Sequence, residues 1–224
     1  MILAHPSLDG RGWGRVKSNP PPLGPRPPGA GKYPKEAKVQ NNDHGDNHQM
    51  NREEMLEAVY QKAKASELKG GNCAQCSIAA IFDVLGVEDE NVIRSATGLA
   101  DGVGLSGDGH CGALSGGTIA ISYFFGRSKE DLGRLGKQLR ALLLAKKFHE
   151  QFVKEFSSCR CHDIQIKRFG RFFNLYDMED LKAAVAANMA ESCSTLVGKA
   201  ARMALEIILD EQDKKSKNVE LPVA

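Results

Sequence analysis

Several things are scarce in this chain. Aromatic residues are only 6% of it, and its single tryptophan, Trp13, lies in the first fifty residues. No apolar run approaches the roughly 20 residues needed to span a bilayer, so membrane insertion is not expected. The opening residues, Met1-Ile2-Leu3-Ala4-His5-Pro6, lack both a charged start and a sustained apolar stretch, and so do not read as a secretory signal. Net charge is only +2. The basic excess falls in the first fifty residues, so the chain has no basic stripe of the kind that nucleic-acid binders carry. The glycine-rich stretch before Cys111 has no Gly-Lys-Ser/Thr ending and follows no clear strand, so it does not read as a phosphate loop. Asp101 and Asp108 in that stretch also argue against a bound anion. Ser115 lacks the surroundings of a nucleophile elbow. These absences leave a cytoplasmic protein as the expectation, with no hydrolase or transferase constellation.

The first fifty residues carry eight of the chain's nine prolines, including Pro20-Pro21-Pro22, and few aliphatic residues. Residues 1–50 read as a disordered tail. Met50, just before the first helical pattern, is a second candidate start. From Asn51 the pattern changes to helical spacing, with Met55, Leu56, Val59, Tyr60 and Ala63 on one face. Asn51 caps this helix, and Gly70-Gly71 ends it. Asn72 caps a second helix over Cys73–Leu85, closed by Gly86. A short third helix follows over 89–97. A glycine loop, Gly98 to Gly109, leads into a helix from Cys111 to Phe125. Ser128 is expected to cap a long helix in which Leu132, Leu135, Leu139, Leu142, Phe148, Phe152 and Phe156 keep a helical period. Residues 159–176 read as irregular or short helix. A last helical region runs from Met178 to Asp210, with a break expected near Cys193. No segment alternates like a strand. The fold class is all-α, a compact bundle of about five to seven helices, with a domain over 51–213 and a flexible tail over 214–224.

Six cysteines are present: Cys73, Cys76, Cys111, Cys159, Cys161 and Cys193. In a reducing compartment, clustered cysteines point to metal binding or redox work rather than static disulfides. Cys111 stands where the glycine loop turns into a helix, so unpaired amides and the helix dipole favour its thiolate. It is the candidate reactive thiol. Gly109, Gly112 and Gly116 are candidate cofactor-approach positions, since small residues let either a facing helix or a cofactor come close to the backbone. His110 and His162 neighbour cysteines, and ligation by either is a secondary reading.

The order of these segments resembles a known family. Asn72-Cys73-Ala74-Gln75 is followed by the glycine loop and Cys111-Gly112-Ala113-Leu114-Ser115-Gly116. Then come Cys161-His162-Asp163-Ile164, and Cys193 ahead of Leu196-Val197-Gly198-Lys199-Ala200-Ala201. Over residues 53–209 this is similar to the C_GCAxxG_C_C family, redox-active proteins with four signature cysteines and a CGAxxG motif. The resemblance implies Cys73, Cys111, Cys161 and Cys193 as the signature set, with Cys76 and Cys159 additional. The loop departs from the family pattern at Leu99-Ala100-Asp101 and Asp108. Cys73-Ala74-Gln75-Cys76 is followed by Ser77, so haem attachment is not implied.

Three functions follow from this pattern. The first is electron transfer through an iron–sulfur cluster held by the four signature cysteines as metal ligands. The second is a thiol–disulfide protein with Cys111 as the attacking thiol. The third is a zinc-stabilised or purely packed helical module that binds a partner. A redox partner protein is expected for the first two, and the chain is a candidate homo-oligomer.

Overall fold

The computed structural model describes residues 50–219, with side chains through Lys214. The expected N-terminal tail, apart from Met50, and residues 220–224 lie outside the described residues. Those described form eight α-helices: α1 (Arg52–Leu68), α2 (Cys73–Leu85), α3 (Glu90–Ser95), α4 (Gly112–Phe125), α5 (Leu139–Phe156), α6 (Cys161–Phe169), α7 (Met178–Ala186) and α8 (Met189–Val219). The one β pairing among them is an isolated antiparallel bridge between His110 and Arg160. The all-α expectation therefore holds. None of these helices is long and apolar enough to cross a membrane.

Local chemistry sets most of the helix ends. Asn51 accepts hydrogen bonds from the amides of Glu53 and Glu54, and the Glu54 carboxylate reaches back to the Asn51 amide, a reciprocal cap that satisfies otherwise unpaired donors. Asn72 caps α2 in a similar way through Ala74 and Gln75. Gly86 closes α2 in the left-handed conformation, at φ 64°.

Two expectations are corrected. Ser128 does not start a long helix. Two short 3-10 turns, Lys129–Asp131 and Leu135–Gln138, precede α5. Gly133 and Gly136 interrupt the pattern there, and each weakens a helix by about 1 kcal/mol. The apolar stripe divides accordingly: Leu132, Leu135, Leu139 and Leu142 are exposed, whereas Ala141, Leu144, Phe148, Phe152 and Phe156 are buried. The second correction concerns the C-terminal region. Its break falls at Ala187 and Asn188, where Asn188 takes a φ of 54°, and Cys193 lies inside the first turns of α8.

The core is shared by α1, α2, α4, α5 and α8. Phe82, Ile78 and Ile81 of α2 meet Ile121 of α4, Phe148 and Phe152 of α5, and Leu205, Ile207 and Ile208 of α8. Burying side chains of this size is worth about 1.5–3 kcal/mol each. Small residues set the spacing between helices. A side chain at Gly116 would collide with the Ala74 carbonyl of α2, and a Cβ at Gly117 would sit 2.5 Å from the Phe148 ring. Gly198 of α8 gives the same close approach to Tyr60 of α1. Arg52–Asp210 and Arg202–Glu53, each at 2.5 Å, link α1 to α8 at the surface, where ion pairs add little.

Gly116→Val is expected to lower the free energy of unfolding by about 3 kcal/mol, because the backbone of α2 cannot yield to the new side chain. Gly133→Ala, which meets open space, should stay within about 0.5 kcal/mol of the parent in the same denaturation experiment.

Candidate functional site

Each signature cysteine occupies the N-terminal end of a different helix. Cys73 is the first residue of α2, Cys111 is the N-cap of α4, Cys161 is the first residue of α6, and Cys193 lies five residues into α8. These ends carry partial positive charge, which favours anions beside them. At α4 no side chain caps the helix, so its first amides have no capping side chain.

The loop between α3 and α4 brings two of these ends together. Five consecutive residues, Asp101, Gly102, Val103, Gly104 and Leu105, have positive φ, from 45° to 76°. Three of them are not glycine, and left-handed backbone costs such residues roughly 1–2 kcal/mol each. Bonds across the loop hold it: Gly104 N to Gly98 O at 2.8 Å, Gly107 N to Asp101 O at 2.9 Å, and Gly109 N to Gly102 O at 2.9 Å. The loop is then stitched to the start of α6. The Cys111 amide donates to Cys159 O at 2.8 Å, and the Cys161 amide donates to Gly109 O at 3.1 Å.

The four cysteines of the signature set line one cavity of about 140 Å³. Glu67, Asn72, Asp101, Gln165 and Arg168 supply its other polar side chains, and Leu105, Ile164, Phe169, Leu196 and Val197 contribute apolar wall. The remaining candidates stand apart from it. Cys76 and Cys159 do not line the cavity, nor do His110 and His162. The His110 ring lies 6.3 Å from that of His149, and His162 lies against Phe172. Gly109, Gly112 and Gly116 are not lining residues either. Gly112 leaves room for the Cys73 sulfur, Gly116 for α2, and Gly109 for the backbone of Gly102.

Burial governs the electrostatics. It pushes the Cys73 thiol far up, with the nearby Glu67 carboxylate adding to the shift. Cys161 is driven up by its interaction with the Cys111 thiol, then by burial and by Asp101. Burial, reinforced by Cys161 and Asp101 and opposed by Arg168, pushes Cys193 up to about 12. Burial likewise raises the carboxyls of Glu67 and Asp101. Glu67 Oε2 and Asp101 Oδ2 are buried without a hydrogen-bond partner.

The donor set fits an iron–sulfur cluster. Four soft thiol donors from four elements line one cavity, the donor type and number that such a cluster takes. Among the described residues, no three His, Cys, Asp or Glu side chains converge closely enough to hold a single metal ion. Sequence reasoning missed Glu67, Asp101, Gln165 and Arg168. Asp101 was legible only as an acidic residue in the glycine loop. Arg168 and Gln165 lie on α6, where local spacing gives no sign of the cavity.

Two outcomes follow. A thiol held above its ordinary value stabilises the fold below that value and loses the contribution as pH rises through the shifted one. The metal-free protein should therefore lose stability from about pH 8.5 upward, measured by urea unfolding. The loss should be shallower in Cys193→Ala and Cys76→Ala, whose parent thiols are both pushed up to about 12. Val103→Gly, which relieves a β-branched residue at φ 70°, should raise stability by about 1 kcal/mol in the same assay.

No curated protein and no solved structure matches the chain. A family model described as "Putative redox-active protein (C_GCAxxG_C_C)" matches residues 71–207. That span holds all four cavity cysteines, both glycine-rich segments and the helix ends that carry them. The chain belongs to the C_GCAxxG_C_C redox-active family.

Proposed function

We propose that this protein transfers electrons through an iron–sulfur cluster ligated by Cys73, Cys111, Cys161 and Cys193. The observation that carries the reading is the placement of these four thiols, from the N-terminal ends of four helices, around a single cavity. A cluster bound there would supply reversible one-electron chemistry. The four cysteines would act as thiolates, releasing their protons as the metal enters. The helix ends and Arg168 favour the negative charge that four thiolates bring. Ile164, Phe169, Leu196 and Val197 keep water away and so tune the potential. The electron partner in this reading is another protein.

A second reading rests on the direct interaction of the Cys111 and Cys161 thiols. These two would form a disulfide, losing two protons and passing two electrons to an acceptor protein, with Cys111 as the reactive thiol.

Anaerobic reconstitution with ferrous iron and sulfide distinguishes the two. The full chain should turn brown and hold iron and acid-labile sulfide. Serine at Cys73, Cys111, Cys161 or Cys193 should cut the iron content severalfold, whereas Cys76→Ser and Cys159→Ser should retain it. An iron-free, colourless protein that gains a Cys111–Cys161 disulfide on mild oxidation would favour the second reading.

A further inference from the structure

Asp101 is the least explained residue of the cavity. Its side chain is 8% exposed, and its backbone is fixed in the left-handed turn at φ 45°. Oδ1 has two donors, Cys161 Sγ at 2.7 Å and Gln165 Nε2 at 2.8 Å. Gln165 is itself held, because its Oε1 accepts from the Phe173 amide at 3.1 Å and it is only 1% exposed. The carboxylate is thus anchored at one oxygen by a residue that has no freedom to turn. The other oxygen, Oδ2, is buried and has no partner.

A structural role accounts for Oδ1 and leaves Oδ2 unexplained. A buried acceptor without a partner is costly, and such groups persist where a ligand or ion completes them. Arg168 lines the same cavity but makes no hydrogen bond to Oδ2. Arg168 is committed through Nη1 to Ser192, at 2.7 Å to its carbonyl and 2.8 Å to its hydroxyl. Asp101 also lines the same cavity as the four thiols.

We infer that Asp101 is an additional protein ligand of the metal group in this cavity, binding iron through Oδ2 beside the four thiolates. The inference rests on the iron–sulfur reading above. When Cys161 ligates, its proton leaves to solvent and its hydrogen bond to Asp101 ends. Gln165 then remains as the donor that aims the carboxylate. A hard oxygen donor among soft sulfurs marks one iron as different from its neighbours and stabilises its oxidised state.

The test uses the full chain, reconstituted anaerobically with ferrous iron and sulfide, as wild type, Asp101→Asn and Asp101→Gly. Both replacements suit the left-handed backbone. Three readouts are taken: the melting temperature of the metal-free protein, the electron paramagnetic resonance spectrum of the reduced protein, and the rate of iron loss to a chelator. Asp101→Asn without metal should melt at or above the wild-type temperature, since it removes an orphaned acid. With the cluster it should show an altered resonance, a more positive midpoint potential and about tenfold faster iron loss. Formate added to Asp101→Gly should move the spectrum back toward wild type. A resonance and a loss rate identical to wild type would overturn the inference while leaving the cluster in place. A metal-free Asp101→Asn that melts well below wild type would also overturn it, by making Asp101 a structural residue. Wild-type protein that takes up no iron would instead remove the underlying iron–sulfur reading, and this inference with it.

Discussion

Four thiols and two carboxyls share one cavity, and the cost of burying them together is the constraint on which the rest of the site depends. Burial raises Cys73, Cys193, Glu67 and Asp101, with neighbouring acidic groups adding to the shift at Cys73, Cys193 and Glu67, and Cys161 is raised by Cys111 and then by burial. Burying these acids together has a cost, and two carboxyl oxygens lack hydrogen-bond partners. A metal group that draws off the thiol protons would convert this liability into ligation.

The helices supply the means. α2, α4, α6 and α8 start near the same space, and each start carries one signature cysteine. Their dipoles favour negative charge at that point, and Arg168 adds a formal positive charge. The close packing of α2 against α4 through Gly116 and the contacts of both with α8 make these starts meet. The left-handed turn from Asp101 to Leu105 then closes the cavity on the α6 side. Its three non-glycine residues are held against their preference by backbone bonds across the loop, as strained segments near functional sites often are.

Much of this was legible in the sequence because it is local. Asn51, Asn72 and Gly86 mark helix ends by side-chain or backbone chemistry that acts within a few residues. The signature cysteines could be ordered by motif, and all four line the cavity. The failures share a different cause. Leu132, Leu135, Leu139 and Leu142 keep a helical period, yet they are exposed and two glycines break the backbone among them, so period alone misplaced the start of α5. The left-handed conformation of Val103 and Leu105 opposes their intrinsic preference and is imposed by the loop's own closure. Asp101 meets a cysteine 60 residues away, a pairing that no local pattern encodes.

The proposed function requires the four thiols together to hold a multi-iron cofactor. Iron-edge X-ray absorption on anaerobically reconstituted protein tests it most directly, because it reads the atoms around each iron. A cluster held by these thiols gives a dominant sulfur shell together with an iron–iron scattering path, both reduced severalfold in Cys161→Ser. Iron surrounded by oxygen or nitrogen alone, with no iron–iron path in the wild-type protein, would contradict it.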